Sequence, residues 1–301
     1  MNRLTVQRRK QVIAALAEGN SIRATVRMTG VAKNTVTKLL VDLGTVCSIY
    51  QDRVMRDLPC QRIQADEIWT FCGSKAKNVP VEKYGDPNYG DVWTWVAIDS
   101  DTKLVPSYRV GARDLQEAQL FMADVAKRLR HRVQLTTDAH RPYLRAVEDA
   151  FGGDVDYAQL IELYGNTDSV RKGGAAKYSP AVCIGSHADA ITGEPDRDHI
   201  STSHVERANL TMRMGMRRFT RLTNAFSKKV ENLAAAVSLH FMHYNFCRVH
   251  QTLGTTPAVA AGVADHVWSL DELIGLLEDA ESVKIRRGSY AKTRARRAVS
   301  D

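Results

Sequence analysis

The 301-residue chain has the composition of an ordinary globular protein, 44% hydrophobic and 25% charged, which excludes a disordered chain depleted of apolar residues. Lysine and arginine total 42 against 34 aspartates and glutamates, a formal charge of +8, and this balance favours a partner such as nucleic acid. No apolar run is long enough for a membrane span and the first residues lack a signal-peptide core, so we expect a cytoplasmic protein with no membrane partner.

The five cysteines are scattered along the chain at Cys47, Cys60, Cys72, Cys183 and Cys247. They form no C-x-x-C pair, which argues against a zinc knuckle or a redox couple. We therefore expect buried free thiols in a reducing compartment.

The first fifty residues show helical periodicity broken by helix-ending signals. VQRRKQVIAALAEGN predicts a helix that stops at Gly19, and SIRATVRMTG predicts a second helix capped by Ser21 and ended by Gly30. NTVTKLLVDLG predicts a third. Three short helices with a glycine-containing turn predict an all-α helix-turn-helix domain over residues 1–50.

The third predicted helix would begin with Asn34 as its cap and act as the recognition helix. In helix-turn-helix proteins this helix lies in the major groove of DNA, with its first residues at the base edges. We therefore expect DNA contacts from Asn34, Thr35, Thr37 and Lys38. The alternative is a small helical bundle used for dimerisation, because the helix spacing is generic.

From about residue 60 the pattern becomes one of alternating strands and helices. The segments QRIQADEIWTFCG, DVWTWVAIDS and LVPSYRVG predict three consecutive strands. RDLQEAQLFMADVAKRLRHR predicts an amphipathic helix, VQLTTD another strand, and AHRPYLRAVEDAFGG and SHVERANLTMRMGMRRF later helices. Residues 152–200 are predicted to be an irregular insertion with some strand near VDYAQLIELYG. This order predicts an α/β fold with a mixed sheet.

Three carboxylates lie where strand ends and a helix can bring them together. Asp66 is inside the first strand, Asp138 directly follows VQLTT, and Glu206 shares a helical face with Asn209. Converging carboxylates repel one another unless a cation sits among them, and oxygen ligands select Mg²⁺ or Mn²⁺. Two such ions can activate an attacking oxygen and stabilise the leaving one in phosphoryl transfer.

Taken singly, each of these acids also has an ordinary explanation. Asp66 fits a salt bridge at a strand edge, Asp138 fits the cap of the following helix, and Glu206 fits a solvated helical residue. The longer strings around them favour catalysis: QADEIWTFCGSKAKN, WTWVAIDSDTKLV, TTDAHRPYL, SHVERANLTMRMGMRRFTRLTNAFSKKVEN and HYNFCRVHQTLGTTP. Over about residues 60–257 they resemble the DDE transposases of bacterial insertion sequences, of the insertion sequence one type.

That resemblance implies a ribonuclease H-like mixed sheet with flanking helices, preceded by the all-α helix-turn-helix domain. It implies a catalytic triad of Asp66, Asp138 and Glu206 that holds two Mg²⁺ or Mn²⁺ ions. Asn209 matches a polar residue that assists the site one turn after the glutamate. Arg213, a further turn along, is available for a DNA phosphate.

The chain departs from that family in two places. The interval between the second aspartate and the glutamate is longer than in compact members, which predicts the insertion around 152–200. The N-terminal zinc-binding cysteines of some members are absent, which leaves the helix-turn-helix to read DNA ends. The predicted domains are therefore 1–50, a catalytic domain over 60–257, and a C-terminal helix and basic tail over 258–301.

The basic tail has no apolar periodicity and so cannot bury a core. Its charges, Arg286 and Arg287 among them, are expected to contact DNA phosphates without reading bases. The alternative is a tail that only keeps the protein soluble.

The predicted function is a DNA transposase that cleaves and joins insertion-sequence ends, with double-stranded terminal repeats and target DNA as its partners. Because two ends must be held together, the resemblance implies a homo-oligomer, at least a dimer on DNA. Two alternatives stay open. One is a helix-turn-helix regulator with an inactive ribonuclease H-like core; the other is a hydrolytic nuclease of the same fold, because the same metals activate water or a 3′-hydroxyl.

Overall fold

The computed structural model describes residues 4–165, 182–220 and 223–281. Arg286 and Arg287 lie outside the described residues, so their contact with DNA stays a prediction. The described residues of 1–55, 70–91 and 212–301 cluster as one compact unit, and those of 56–69 and 92–211 as another. Of the helices in the described ranges, none combines the length and hydropathy that crossing a membrane requires.

The second unit contains most of a mixed six-stranded sheet with the strand order β3-β2-β1-β4-β5-β6. The strands are β1 Arg62–Cys72, β2 Gly90–Asp99, β3 Ser107–Gly111, β4 Gln134–Asp138, β5 Asp156–Gly165 and β6 Val182–Thr192. β2 and β3 are antiparallel, β1 pairs in parallel with β4 and β4 with β5, and β5 and β6 are antiparallel. This is the predicted α/β architecture, a ribonuclease H-like mixed sheet with flanking helices.

The central strands form because their apolar side chains are buried on both faces of the sheet. Ile63 of β1, Trp95 of β2 and Leu135 of β4 are at most 1% exposed, as expected where helices cover a sheet. The flanking helices are α4 Leu115–Arg128, α5 Pro142–Phe151 and α6 Ser203–Gly215.

The segment predicted to be irregular contains a long antiparallel ribbon instead. β5 and β6 pair from Tyr157 opposite Thr192 to Gly165 opposite Val182, and residues 183–191 are all exposed. The strand predicted near VDYAQLIELYG is confirmed as β5. The prediction of irregular structure is wrong for β6, because a strand without a buried face carries no alternating apolar pattern to recognise. The prediction that all cysteines are buried is also wrong, because Cys183 lies on this exposed ribbon.

The first unit begins with three helices, α1 Val6–Ala17, α2 Ile22–Thr29 and α3 Lys33–Val54. The first two have the predicted ends: the Ser21 side chain accepts a hydrogen bond from the Ala24 N–H, and Gly30 adopts a left-handed φ of 67°. The third helix differs, because Ala32 and not Asn34 is its N-cap, and it continues ten residues beyond Gly44.

Gly44 does not end α3 because it allows a close helix–helix contact. The partner helix is α7, Val230–Met242, and a Cβ at Gly44 would lie 2.3 Å from the carbonyl oxygen of Ala235. The contact is continued by side chains that are at most 1% exposed, such as Leu43 of α3 and Leu233 of α7. Glycine is required here for backbone approach and not for a turn.

The rest of this unit follows α7. A π-helical turn, His243–Cys247, extends α7, and α8 spans Pro257–Ala260; a last helix covers 270–281. Phe246 and Trp268 pack with Tyr50 of α3 in an aromatic cluster whose ring centroids are 5.0–5.6 Å apart.

Candidate active site

Two residues of β1 position α6 beside the sheet. Because side chains alternate along a strand, Gln64 and Asp66 lie on the same face of β1. The Gln64 Oε1 accepts hydrogen bonds from the backbone N–H groups of His204 at 2.8 Å and Val205 at 3.1 Å. One turn later, the Asn209 Nδ2 donates to the Asp66 Oδ2 at 2.8 Å. The first turns of α6 are thus fixed to the strand that carries the first predicted catalytic aspartate.

The second predicted aspartate lies next to the first because of the parallel register of β1 and β4. Ala65 is opposite Thr137, so Asp138, the last residue of β4, is beside Asp66. The backbone N–H of His140 donates to the Asp138 Oδ1 at 3.0 Å. The structure therefore brings the side chains of Asp66, Asp138 and Asn209 together, and their catalytic roles stay a prediction.

A third carboxylate, that of Glu67, lies beside Asp66 and Asp138 and is not among the residues predicted from the sequence. One oxygen from each of Asp66, Glu67 and Asp138 lies within 4.8 Å of the others. The Glu67 side chain is only 1% exposed, and its Oε2 is 3.4 Å from the guanidinium of Arg113. The guanidinium is also 3.7 Å from the Asp138 Oδ2. The signal in the sequence that points to Glu67 is a second acid, directly after Asp66, within the predicted strand QRIQADEIWTFCG.

Burial and mutual repulsion raise the pKa of two of these carboxyl groups. The pKa of Asp66 is raised to about 6 by burial and then by the charge of Asp138, against the opposing hydrogen bonds from the Glu67 N–H and Asn209. The pKa of Glu67 is raised to about 8, again by burial and then by Asp138, while Arg113 acts in the opposite direction. Ionising all three groups together is therefore costly unless a cation neutralises them.

The polar atoms around the cluster fit such a cation. Among the described residues, the Glu67 Oε1 and the Asn209 Oδ1 are buried without a hydrogen-bond partner. Unpartnered buried oxygens are costly, and carboxylate and amide oxygens are ligands that hard divalent cations prefer. The donor set therefore suits Mg²⁺ or Mn²⁺.

The third predicted catalytic acid is arranged differently. Glu206 is exposed on α6, and its Oε1 accepts a hydrogen bond from the Thr202 hydroxyl. In the described part of the chain, it is not in the group of carboxylates that meet within 4.8 Å. Its charge still contributes to the raised pKa of Asp66, as the weakest of the causes. Arg213 is half-buried in the last turn of α6.

The residues predicted to contact DNA lie at the start of α3. Asn34, Thr35 and Lys38 are exposed and Thr37 is half-buried. The Lys38 ammonium forms an ion pair with Asp42 one turn along the helix. These positions are open to a partner, and their contact with DNA stays a prediction.

Comparisons with known proteins give distant structural similarity only. No protein-family model matches the chain, and no curated protein sequence is significantly similar to it. Similar solved structures include the Mos1 transposase paired-end complex with left transposon end, at 16% identity and a TM-score of 0.23, covering 52% of this chain and 60% of that one. In that match, this chain spans 60% of the length of the Mos1 chain.

Two further structures are similar over more of this chain. The Mos1 strand transfer complex matches at 13% identity with a TM-score of 0.24, covering 81% of this chain and 79% of that one. The piggyBac transposase synaptic complex with hairpin DNA matches at 12% identity with a TM-score of 0.30, covering 91% and 60%. At such low similarity, function has to be argued from the residues of the site.

Proposed function

We propose that this chain is a DNA transposase of the insertion-sequence type, which cleaves and joins DNA ends with divalent metal ions held by Asp66, Asp138 and Glu206. The observation that carries the proposal is the meeting of the Asp66 and Asp138 carboxylates at the end of β4, with a third acid, Glu67, in the same cluster. A buried cluster of acids with raised pKa values is the electrostatic pattern of a catalytic site.

Each residue has a definite part in this proposal. When bound, two Mg²⁺ or Mn²⁺ ions supply Lewis acidity for attack by a water or 3′-hydroxyl oxygen and for departure of the leaving oxygen. Asp66 and Asp138 offer the ligand oxygens that the sheet places together. Asn209 orients Asp66 through its 2.8 Å hydrogen bond, and Glu206 supplies the third acid from α6.

The DNA partner is supported by charge and by the exposed start of α3. The formal charge of +8 favours binding to phosphates. Asn34, Thr35, Thr37 and Lys38 would read the terminal repeats from the domain of residues 1–50, and Arg213 would contact a DNA phosphate. Because two DNA ends take part, we propose a homo-oligomer, at least a dimer on DNA.

Metal-dependent cleavage of the DNA that flanks the reading frame tests this proposal. Purified protein is expected to nick a duplex carrying the terminal repeats with Mg²⁺ or Mn²⁺, and to leave it intact with EDTA. Asp66→Ala, Asp138→Ala and Glu206→Ala should each abolish nicking with little change in DNA binding, measured by gel shift. Asp189→Ala is the control, because Asp189 is an exposed acid on the β6 ribbon.

The products separate transposition from its alternatives. Joined donor and target strands would support the transposase. Nicking without joined products would indicate a hydrolytic nuclease, and binding without nicking under any metal would indicate a regulator with an inactive core. Full nicking by any one of the three alanine variants would remove that residue from the site.

A further inference from the structure

We propose that Glu67 is a direct ligand of the divalent metal at this site, in addition to the three acids that the transposase resemblance implies. The inference rests on the metal site of the proposed function and adds a residue to it. It begins from the position of Glu67 on β1. Alternation along the strand directs Asp66 and Glu67 toward opposite faces, yet both carboxylates reach Asp138.

The end of β4 explains how both faces of β1 contribute to one cluster. The last pair in the register of β1 and β4 is Ala65 with Thr137, so the ladder between these strands stops just before Asp66. Beyond that pair, Asp138 lies beside the part of β1 that no longer pairs with β4. Side chains from either face of β1 can approach this edge, and Glu67 does so from the face opposite α6.

The hydrogen bonding of Glu67 leaves one oxygen for a ligand. Its Oε2 has the Arg113 guanidinium at 3.4 Å, whereas its Oε1 is buried and has no hydrogen-bond partner in the described ranges. The His140 Nε2 is 3.7 Å from this Oε1, too far for a hydrogen bond. A carboxylate that is 1% exposed with one unpartnered oxygen is costly, and a cation would remove that cost.

Arg113 contacts the Oε2 of Glu67 and, within the described residues, leaves its Oε1 without a hydrogen-bond partner. Its guanidinium lies over the Trp93 ring at 4.8 Å from the centroid, and this stacking holds it beside the Glu67 Oε2. It therefore orients Glu67, and because its Nη2 is also 3.7 Å from the Asp138 Oδ2, it partly balances the charge of both acids. The ligand set of Asp66, Glu67 and Asp138 exists in the folded chain, whereas Glu206 is exposed outside it.

A sulfur substitution tests direct ligation, because only a sulfur bonded to the metal gives a thiolate-to-cadmium charge-transfer absorption. Glu67→Cys is prepared in a Cys183→Ser background, since Cys183 is the exposed native thiol among the described residues. Addition of Cd²⁺ should produce the absorption in Glu67→Cys. Glu117→Cys, a half-buried acid that pairs with Arg109, is the matched control and should not produce it.

Metal affinity gives the second measurement on the full chain. Mn²⁺ binding is followed by electron paramagnetic resonance of the free ion, with folding of each variant checked by circular dichroism. Glu67→Gln, which keeps the side-chain shape, should weaken Mn²⁺ binding by about 100-fold or more, beyond the typical loss for a residue that only supports a ligand. Glu206→Gln should weaken it by less than Glu67→Gln, because Glu206 lies outside the preformed set.

The outcomes distinguish this inference from the proposed function. If the wild-type chain binds neither Mn²⁺ nor Cd²⁺, the metal site fails, and the inference fails with it. If Asp66→Asn abolishes Mn²⁺ binding while Glu67→Gln binds as tightly as the wild type and Glu67→Cys gives no absorption, Glu67 is only the partner of Arg113. That result would overturn the inference and leave the proposed function standing. Should Glu67→Cys not fold, the Mn²⁺ affinity of Glu67→Gln decides.

Discussion

The contact between helices α3 and α7 gains stability from its packing, whereas the acidic cluster at the end of strands β1 and β4 costs stability. Where the two helices meet, a glycine brings the backbones together and leucines are fully buried, so nearly every atom at the contact gains from packing. At the acidic end, Asp66 and Glu67 have raised pKa values and buried oxygens are unpartnered. A cluster that costs stability in the free chain is retained for a ligand or for chemistry.

The largest effect is expected from adding one methyl group at the packed contact. Gly44→Ala would place its Cβ 2.3 Å from the Ala235 carbonyl oxygen, so the helices must separate, at a cost of about 3 kcal/mol. Urea unfolding followed by circular dichroism measures this loss. The matched control is Gly275→Ala, also in a helix, where the new Cβ would meet no atom of the described residues within 4 Å.

The control should move in the opposite direction. In a helix, alanine is favoured over glycine by about 1 kcal/mol, so Gly275→Ala should stabilise the chain slightly. Equal losses in both variants would show that α3 and α7 are not in the close contact described, and would remove one side of the comparison.

The acidic end should instead gain stability from metal. A ligand that binds only the folded state stabilises it by about 2.7 kcal/mol at a concentration 100 times its Kd. Differential scanning calorimetry with Mn²⁺ should therefore show a higher unfolding temperature for the wild type and no such rise for Asp138→Asn. A rise of the same size in Asp138→Asn would place the binding ion elsewhere.

The dependence of stability on pH should separate Glu67 from Asp66 in metal-free protein. The pKa of Glu67 is raised from its ordinary 4.5 to about 8 in the folded chain, so the folded state holds a proton that the unfolded state releases. Its contribution is fully present below pH 4.5 and is lost as pH rises through 8. Asp66, whose folded pKa is about 6, acts in the same direction from about pH 4 to 6.

Between pH 6 and 8, Glu67 is therefore the one of these two acids that makes the free energy of unfolding depend on pH. There the wild type should lose up to about 1.4 kcal/mol per pH unit relative to Glu67→Gln. Urea unfolding in EDTA at several pH values measures the difference between the two proteins. Parallel curves across this window would mean that Glu67 is ionised in the folded state at neutral pH.

The order of helices and strands and the closeness of Asp66 to Asp138 could be predicted from the sequence. Periodicity identifies elements, and the carboxyl ends of neighbouring parallel strands meet. Glu67 could not be placed by the same reasoning, because neighbouring residues on a strand are expected on opposite faces. Only the register that stops at Ala65 and Thr137 brings it to Asp138.

The glycines show the same limit of local reasoning. Gly30 ends α2 as predicted, with a left-handed φ, whereas Gly44 continues α3 in ordinary helical geometry. The residue type is the same, and the difference lies in a helix that is almost 200 positions away in sequence, so the immediate neighbours of Gly44 cannot reveal it. The exposed β6 ribbon is missed for a related reason, since it buries nothing that would leave a pattern.

The smallest effects are expected at Ser21 and Asn34, two polar residues whose positions in the sequence both predict helix caps. The Ser21 side chain accepts a hydrogen bond from the Ala24 N–H, so Ser21→Ala should cost about 1 kcal/mol. Asn34 lies inside α3 and is exposed, so Asn34→Ala should leave the unfolding free energy nearly unchanged.

If Asn34 reads a base, the same variant should lose about 1–3 kcal/mol of discrimination at one base pair of the terminal repeat. Urea unfolding and competition binding with single-base variants measure the two quantities separately. A loss of stability in Asn34→Ala equal to that in Ser21→Ala, with unchanged base preference, would make Asn34 a structural residue and transfer DNA-end recognition to another part of the chain.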